Sequence, residues 1–266
     1  MQVITSKDNE IIKGLKKLKD KKYRDEEGLY IIEGIKIIEE AIAEHVKINK
    51  IVICEECVEA EEISQKLLYE IAKYNCIYVS KKVFSTLTDV VAPQGILAVI
   101  EKPSKINNEL SVDYNQDIIL ALDGIQDPGN LGTILRTADS VNLKQIIITK
   151  NTADPYNPKV VRSTMGAIFR VKIIETDNLV QTLKEMKKNK FKIVVTSLDT
   201  KDSIYNIDYY KKVVVIGNEA NGVSKGVQDI ADNKVKIPML GKTESLNASV
   251  ATGIVLYEYV RQKLLK

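Results

Sequence analysis

The chain is organised around one stretch near its C-terminal end, Lys236-Ile-Pro-Met-Leu-Gly-Lys-Thr-Glu-Ser-Leu-Asn-Ala-Ser-Val-Ala251. It begins as the end of a short apolar strand, which Pro238 stops because proline cannot donate to a sheet ladder. A polar loop follows at residues 240–244, and Ser245 is a favourable N-cap for a long helix that runs to about Leu265. The stretch therefore predicts a hydrogen-bonding loop between a strand and a helix N-terminus, where α/β folds bind ligands.

Upstream of this stretch, residues 117–266 alternate between apolar strands and amphipathic helices. This alternation is typical of a parallel, doubly wound α/β sheet with helices on both faces, and it predicts a C-terminal domain over residues 117–266. The predicted strands cover 117–122, 145–149, 170–174, 191–197 and 212–216, and the predicted helices cover 131–141, 158–167, 178–189 and 223–230.

Residues 1–100 predict a smaller α/β domain of their own. Residues 101–116 are polar and contain Pro103, so they are predicted to form a linker. In the small domain, strands are expected at 29–32, 48–54, 76–79 and 94–100, and helices at 7–24, at about 59–74, and along the apolar face of Ile35, Ile38 and Ile42.

Charge is distributed unevenly along the first domain, although the whole chain carries a formal net charge of only +3. Residues 1–24 hold eight Lys or Arg and three Asp or Glu, whereas residues 25–62 hold three and twelve. The basic helix is consistent either with contacts to RNA phosphates or with a solvated helix rich in lysine.

No targeting or membrane segment is recognisable. The N-terminus leads into polar sequence, and no apolar run approaches the roughly 20 residues that a bilayer span needs. Cys54, Cys57 and Cys76 are odd in number and unlike a secreted disulfide framework, which predicts a cytoplasmic protein. Cys54 and Cys57 form a C-x-x-C without a second ligand pair, so we expect buried thiols and no metal.

The first candidate for chemistry is the segment from Asp123 to Asp139, which follows the first strand of the second domain. Its loop ends at Asn130, a predicted N-cap, and Arg136 lies six residues further along an otherwise apolar helix. A cation on an apolar face requires a partner. Arg136 is therefore either tied to a structural carboxylate such as Asp123 or takes part in catalysis.

Two further candidates lie where a strand meets a loop or a loop meets a helix. Gly217, after the strand at 212–216, permits a sharp turn and the close approach of a ligand. Its glycine spacing matches neither the dinucleotide-binding G-x-G-x-x-G nor a P-loop. Ser245 and Asn247 stand at the start of the last helix, where such side chains most often act as caps.

Taken together, these segments closely resemble the SpoU/TrmH branch of the SPOUT methyltransferases, over residues 117–266. The family's first motif matches Asn130 and Arg136, and its second matches G-x-E-x-x-G at Gly217 to Gly222. Its third matches Ile237-Pro-Met239 and Ser245-Leu-Asn-Ala-Ser-Val-Ala251.

The resemblance implies an S-adenosylmethionine-dependent RNA methyltransferase that acts on a ribose 2′-hydroxyl, with ribosomal RNA as the expected substrate. It also implies a trefoil knot in the C-terminal domain and a homodimer with the active site near the interface. The first domain resembles the family's small, ribosomal-protein-like substrate-binding domain through Gly28, Glu33 and Gly34. The implied contacts to the methyl donor are Thr196, Gly217, Ile237, Met239 and Leu246.

The resemblance also implies roles for the polar motif residues. Arg136 is expected to stabilise the developing alkoxide or to hold the adjacent phosphate, because a guanidinium stays protonated and is a poor base. Glu219 is expected to orient Arg136 or to accept the proton. Hydrogen bonds that fix the ribose and the loop are expected from Asn130, Ser245 and Asn247.

Phosphate contacts from the basic helix are expected to make RNA binding salt-dependent, and the candidate residues are Lys13, Lys16, Lys17 and Arg24. Three alternatives stay open: a transfer RNA substrate, a non-catalytic RNA-binding or ribosome-assembly protein, and a nicotinamide-dependent oxidoreductase. The intact set of polar motif residues argues against the second alternative. The missing G-x-G-x-x-G argues against the third.

Overall fold

The computed structural model describes residues 3–103 and 112–265, and its contacts divide the chain into two compact units. Among the described residues, the first unit contains 3–103 together with Tyr156–Phe169, and the second contains 112–155 and the chain from Arg170 onward. Most of the predicted linker, residues 104–111, lies outside the described residues. Tyr156–Phe169 lies in the predicted second domain by sequence, yet its contacts group it with the first unit.

The first unit is built on a mixed sheet with strand order β1-β4-β3-β5-β2, in which β5 runs antiparallel to both β3 and β2. The predicted strands at 29–32, 48–54 and 76–79 are confirmed. The elements are β1 (Val3–Ile4), α1 (Glu10–Lys17), α2 (Lys21–Glu27), β2 (Leu29–Glu33), α3 (Ile35–Ala43), β3 (Ile48–Cys54), α4 (Glu55–Glu59), α5 (Gln65–Ile71), β4 (Cys76–Val79), α6 (Lys81–Phe84) and β5 (Ile96–Glu101).

Of two helices that the sequence predicted as continuous, one is broken into two and the other is shortened at both ends. The predicted helix at 7–24 is wrong, because α1 ends at Lys17 and α2 begins at Lys21. The predicted helix at 59–74 is also wrong: the chain turns at Glu61, which has a φ of 56°, and Ser64 caps the new helix α5 by accepting from the Leu67 N–H. Hydrophobic spacing alone did not reveal these breaks because it continues across them.

The second unit has a parallel sheet with strand order β11-β9-β10-β6-β7-β8, which confirms the predicted α/β class. Its central strands are buried apolar runs, as expected for a sheet covered on both faces. The elements from residue 112 onward are β6 (Ile118–Asp123), α7 (Pro128–Ser140), β7 (Gln145–Thr149), α8 (Pro158–Thr164), β8 (Lys172–Thr176), α9 (Leu179–Lys188), β9 (Lys192–Thr196), β10 (Lys212–Gly217), α10 (Lys225–Asp229), β11 (Asn233–Val235) and α11 (Ala248–Leu264).

The strand order places a topological switch point between β6 and β10. From β6 the chain builds β7 and β8 on one side, whereas β10 and β9 lie on the other. Loops that leave adjacent strands in opposite directions open a crevice at the carboxyl ends of those strands, and ligands of open α/β sheets bind there. The trefoil knot implied by the family resemblance stays a prediction.

Helix α8 belongs to the first unit through packing against β2. Val161 is 1% exposed and joins the hydrophobic core of that unit. The ring of Tyr156 lies 4.8 Å from the ring of Tyr30, and the Lys102 ammonium sits 4.8 Å above the Tyr156 ring. Residues far apart in the sequence therefore complete one core.

Across the part of the chain that the structure describes, no helix is both long enough and apolar enough to span a membrane.

Candidate active site

Three of the sequence segments meet at the carboxyl edge of the parallel sheet. Gly217, the last residue of β10, pairs in register with Asp123, the last residue of β6. The loop after β6 leads into α7, and the loop after β10 contains Glu219. The polar stretch after β11 returns to the same place, because Asn247 at the start of α11 contacts Asn130 on α7.

A chain of side-chain hydrogen bonds connects the three segments. Asn130 donates from Nδ2 to Oε1 of Glu219 at 3.0 Å, and its Oδ1 accepts from Nδ2 of Asn247 at 2.8 Å. Glu219 also accepts from the backbone N–H groups of Gln126, at 3.2 Å, and Asp127, at 3.3 Å. Because a carboxylate only accepts, it sets the orientation of the Asn130 amide, which in turn sets that of Asn247. We call Glu219, Asn130 and Asn247 the amide relay.

The charge of Glu219 is stabilised by the donors around it. Burial alone raises the pKa of this carboxyl group, but the hydrogen bonds from Asn130 and from the backbone outweigh burial, and the pKa is lowered overall. A carboxylate with a lowered pKa is ionised at neutral pH and is a weak proton acceptor. The side chain contacts the loop after β6 rather than Arg136, so the expected orientation of Arg136 by Glu219 is wrong.

The two predicted helix caps are each displaced by two or three residues. Asp127 rather than Asn130 caps α7, since its side chain accepts from the Asn130 N–H at 2.8 Å. Asn247 rather than Ser245 caps α11, since its Oδ1 accepts from the Ser249 N–H at 2.9 Å and from the Ser249 hydroxyl at 2.6 Å. Ser245 is exposed and its side chain forms no hydrogen bond with any residue that the structure describes.

Arg136 is exposed on α7, which corrects its predicted place on an apolar helix face. The buried side of the helix carries Ile134, Leu135 and Ala138, and Arg136 points away from them. The guanidinium forms no hydrogen bond or ion pair within residues 3–103 and 112–265. The alternative of a structural pair with Asp123 is also wrong, because Asp123 accepts from the Ser224 N–H at 2.8 Å.

Gly217 is required by the chain's own backbone. A Cβ atom at this position would lie 2.1 Å from the carbonyl carbon of Gly222 and 2.1 Å from the nitrogen of Val223. The loop folds back because Asn218 and Gly222 exchange two backbone hydrogen bonds, at 3.0 and 2.9 Å. The sequence had suggested close approach of a ligand at Gly217, and the structure places another part of the loop there.

Asn218 is a site residue that sequence reasoning missed. Its Nδ2 donates to the Gly124 carbonyl at 2.8 Å, and its Oδ1 accepts from the N–H groups of Ala220 and Asn221 at 2.9 and 3.0 Å. It therefore joins the loop after β10 to the loop after β6, in parallel with the amide relay. The signal was an Asn directly after the tight glycine, a residue that often bonds its own turn.

The residues implied as methyl-donor contacts gather at the ends of three adjacent strands. Thr196 ends β9 and pairs in register with Val235, the last residue of β11. Ile237, Met239 and Leu246 are half-buried in the segment between β11 and α11. From 237 to 246, the main chain forms no backbone–backbone hydrogen bond with the described residues. Its N–H and C=O groups are therefore available to a polar ligand.

The four lysine and arginine residues predicted to bind RNA differ in exposure. Lys13 and Lys17 are exposed and Lys16 is half-buried, whereas Arg24 is 2% exposed. Arg24 donates from Nη1 to the carbonyl oxygens of Leu18, at 2.8 Å, and Lys19, at 2.6 Å. These bonds satisfy backbone carbonyl groups at the C-terminal end of α1. The buried guanidinium therefore cannot face RNA phosphates, and the assignment of Arg24 as a phosphate contact is wrong.

Cys54 and Cys57 are both buried and free. Burial raises the pKa of the Cys57 thiol to about 12. Among the described residues, no three His, Cys, Asp or Glu side chains are grouped to hold a metal ion.

Comparison with known proteins covers both units. The SpoU rRNA Methylase family matches residues 117–257, and the MRM3-like substrate binding domain matches residues 9–98. The 23S rRNA (guanosine(2553)-2′-O)-methyltransferase RlmP of Bacillus subtilis (strain 168) is 31% identical over 258 residues, which are 97% of this chain and 98% of that protein.

Solved structures of RNA methyltransferases are also similar to this chain over nearly its whole length. An AdoMet-bound rRNA methyltransferase from Sinorhizobium meliloti is 31% identical, with a TM-score of 0.81 over 98% of this chain and 97% of that one. A crystal structure of an RNA 2′-O ribose methyltransferase is 27% identical, with a TM-score of 0.84 over 99% of this chain and all of that one.

The backbone contact at Gly217 leads to a prediction. In Gly217→Ala the new methyl group would overlap the main chain at Gly222, so the loop 218–222 must move and Glu219 must leave its donors. We expect a loss of roughly 1–3 kcal/mol in the free energy of unfolding, measured with denaturant, and weaker binding of S-adenosylmethionine by calorimetry.

The matched control for this prediction is Gly241→Ala, because a Cβ there meets nothing within 4 Å and the backbone needs no left-handed conformation. Equal stability of the two variants would contradict the role assigned to Gly217.

Proposed function

The chain belongs to the SpoU rRNA methylase family, and we propose that it transfers a methyl group from S-adenosylmethionine to a ribose 2′-hydroxyl of ribosomal RNA. The observation that carries this proposal is the amide relay, which joins all three motif segments at the switch point of the sheet. Similarity to the ribosomal RNA methyltransferase of Bacillus subtilis extends over both units, which favours a ribosomal over a transfer RNA substrate.

The segment between β11 and α11 fits the methyl donor. An adenosine and a methionine side chain need apolar walls and main-chain donors and acceptors. Ile237, Met239 and Leu246 supply half-buried apolar surface, and the main chain from 237 to 246 supplies N–H and C=O groups without backbone partners among the described residues. S-adenosylmethionine, when bound, supplies a methyl group on a positively charged sulfur. Thr196 and Gly217 would lie beside it at the ends of β9 and β10.

Arg136 is the residue that we assign to the ribose. Its guanidinium is exposed and forms no hydrogen bond or ion pair with the described residues that a substrate would have to displace. A permanently charged donor near the 2′-oxygen stabilises the negative charge that develops as the hydroxyl loses its proton. Arg136 therefore acts as an electrostatic stabiliser or as a holder of the adjacent phosphate, and proton removal falls to another group or to water.

Glu219 is a positioning residue. It holds the loop after β6 through two backbone N–H groups and holds Asn130 through its side chain. Asn130 and Asn247 then keep the start of α11 against α7. This arrangement fixes the segment that leads to the donor site without using Glu219 as a base.

Lys13, Lys16 and Lys17 remain candidates for RNA phosphate contacts in the first unit. The Lys17 ammonium lies 5.4 Å from the centre of the Tyr23 ring, which leaves a cation and an aromatic surface side by side. Lys13 is paired with Glu10 at 2.8 Å, and an exposed pair of this kind exchanges easily for a phosphate.

We further propose a homodimer formed through α7 and α11. Val250 and Tyr257, seven residues apart on α11, are 50% and 54% exposed and leave apolar surface uncovered on one side of this helix. The Tyr257 hydroxyl lies 3.4 Å from the Ser140 hydroxyl on α7, and Arg136 lies one helical turn before Ser140. A partner on this surface would lie next to Arg136. A cytoplasmic location is supported by the three free cysteines.

Replacing Arg136 tests the catalytic assignment. In Arg136→Ala we expect methyl transfer to fall by roughly 10²–10³-fold, because the developing charge loses its stabilising donor. Folding and S-adenosylmethionine affinity should be unchanged, because the side chain is exposed and forms no hydrogen bond or ion pair within the described residues. The measurement is ribose-methylation mapping of total RNA from cells that carry the wild-type gene, the variant, or no gene.

Arg136→Lys serves as the control, since it keeps the positive charge and removes only the planar guanidinium group with its paired N–H donors. We expect this variant to have intermediate activity. Near-normal methylation by Arg136→Ala would remove Arg136 from the mechanism. If the only ribose-methylation signal lost without the gene were at a transfer RNA position, the proposal of a ribosomal RNA substrate would be overturned. No lost signal at all would favour the non-catalytic alternative.

The pH dependence of kcat distinguishes a positioning role of Glu219 from a role as general base. We expect Glu219→Gln to bind S-adenosylmethionine roughly tenfold more weakly, because hydrogen bonds to a charged acceptor are lost, while the pH dependence of kcat keeps its wild-type shape.

Because the pKa of Glu219 is lowered on folding, its stabilisation of the fold is present above the ordinary glutamate pKa and disappears as pH falls through the lowered value. The free energy of unfolding should therefore fall at acid pH in the wild-type protein, and this contribution should be missing from Glu219→Gln. A flattened acid limb of kcat in the variant would instead make Glu219 the base.

A charged substitution on the exposed side of α11 tests the proposed dimer interface. We expect Tyr257→Glu to sediment as a monomer at concentrations where wild type is a dimer, because a carboxylate would be buried without a partner. The control is Tyr205→Glu, since Tyr205 is 52% exposed and lies outside α7 and α11. A monomeric wild type, or a dimeric Tyr257→Glu, would contradict this interface.

A further inference from the structure

A row of lysines lies along the amino edge of the parallel sheet in the second unit, opposite the amide relay. Lys172, Lys192 and Lys212 are the first residues of β8, β9 and β10, and Lys144 directly precedes β7. Because these strands are parallel, their first residues all meet at one edge. None of these residues belongs to a motif discussed above.

Backbone hydrogen bonds show that the lysines are neighbours. The Lys172 N–H donates to the Lys144 carbonyl at 2.9 Å, and the Lys192 N–H donates to the Lys211 carbonyl at 3.0 Å. The Lys212 N–H donates to the carbonyl of Asp117, at 3.2 Å, just before β6. With strand order β9-β10-β6-β7-β8, the lysines stand at the starts of four of these five adjacent strands, and Asp117 takes the corresponding place before β6.

The edge carries an excess of positive charge. Four carboxylates lie beside the row, on Asp113, Asp117, Asp208 and Asp232, against seven lysines, and Asp232 is also paired with Lys187 at 2.9 Å. Lys144 and Lys190 form no side-chain hydrogen bond or ion pair with the described residues. We call the seven residues the lysine edge: Lys144, Lys172, Lys190, Lys192, Lys211, Lys212 and Lys263.

Complementing helix dipoles explains only part of this charge. Cations are favoured at the C-terminal end of a helix, and Lys190, just past the C-cap of α9, and Lys263, near the end of α11, fit that rule. Lys172, Lys192 and Lys212 instead begin strands, which have almost no net dipole. Their accumulation on one edge therefore points to an anionic partner.

A polar cavity of about 260 Å³ opens within the lysine edge, at the amino ends of β6 and β7. Lys144 and Lys263 stand on its walls together with Asn142 and Tyr259. The Lys263 ammonium is 3.2 Å from the Tyr259 hydroxyl and 3.5 Å from the Asp117 carboxylate, which also lines the cavity, so the recess combines cationic and neutral donors with one carboxylate that Lys263 partly neutralises. Tyr210, next to Lys211 in the chain, is 54% exposed and offers a ring on which a base can stack.

We propose that the lysine edge binds the phosphate backbone of the RNA substrate, as a second contact surface in addition to the active site. The identity of the partner as RNA rests on the proposed function. Strands of five or six residues separate the two edges of the sheet by roughly 16–20 Å. Only a folded RNA large enough to reach around the sheet can contact both edges, so the lysine edge selects structured RNA over short single strands.

The test compares two double variants that remove the same charge. Lys144→Gln with Lys192→Gln alters exposed residues of the lysine edge, and Lys201→Gln with Lys225→Gln alters exposed lysines elsewhere in the second unit. Binding of protein-free 23S ribosomal RNA is measured over a range of salt concentrations, together with the KM for that RNA, kcat and S-adenosylmethionine affinity.

For the lysine-edge pair we expect roughly tenfold weaker RNA binding near 0.15 M salt and a salt slope smaller by about 1.4–1.8, as for two lost phosphate contacts. The KM for RNA should rise while kcat and S-adenosylmethionine affinity stay the same. The control pair should bind RNA like wild type.

Wild-type RNA affinity and salt slope in the lysine-edge pair would overturn the proposal and leave the edge to an acidic protein partner. An equal loss in both pairs would also overturn it, since it would reflect net charge alone. If wild type binds the RNA through these lysines but transfers no methyl group, the proposed function fails while the lysine edge stands.

Discussion

The hydrogen bonds made by the Asn130 amide are the constraint on which the second unit's site depends. Its nitrogen can only donate and its oxygen can only accept, and it meets an ionised carboxylate on one side and the Asn247 amide on the other. Asn130 is thereby tied to two segments that lie 89 and 117 residues further along the chain, and all three are held in one arrangement. The loss of any member leaves a polar group of a neighbour without its partner, which costs more than the bond itself contributes.

The parallel sheet makes this arrangement possible. It brings Asp123 and Gly217 side by side, and the absence of a side chain at Gly217 lets the following loop fold back against the strand end. Asn218 then joins that loop to the Gly124 carbonyl. The rigid part of the site is thus built from two strand ends and two loops. Arg136, on the exposed side of α7, has no hydrogen bond or ion pair with the residues that the structure describes and is available to a substrate.

The two edges of the same sheet have different chemistry. The carboxyl edge carries amides, a carboxylate and free main-chain groups, which suit a small ligand with directional hydrogen bonds. The amino edge carries lysines, which suit a partner recognised by charge rather than by direction. A methyltransferase acting on a large RNA requires both kinds of surface, because positioning one ribose depends on holding the polymer around it.

Local pattern and composition determined the α/β class, most strands and the segments that form the site, because buried strands require apolar runs and tight turns require glycine. The same pattern misplaced what depends on distant contacts. Arg24 appeared to be a surface cation and instead closes the end of α1, and the helix at 7–24 proved to be two. Ser245 and Asn247 are both good caps by composition, and in the structure Asn247 caps α11 while its amide nitrogen also donates to Asn130. Tertiary structure decided these points because hydrogen-bond partners remote in sequence leave no periodic signal.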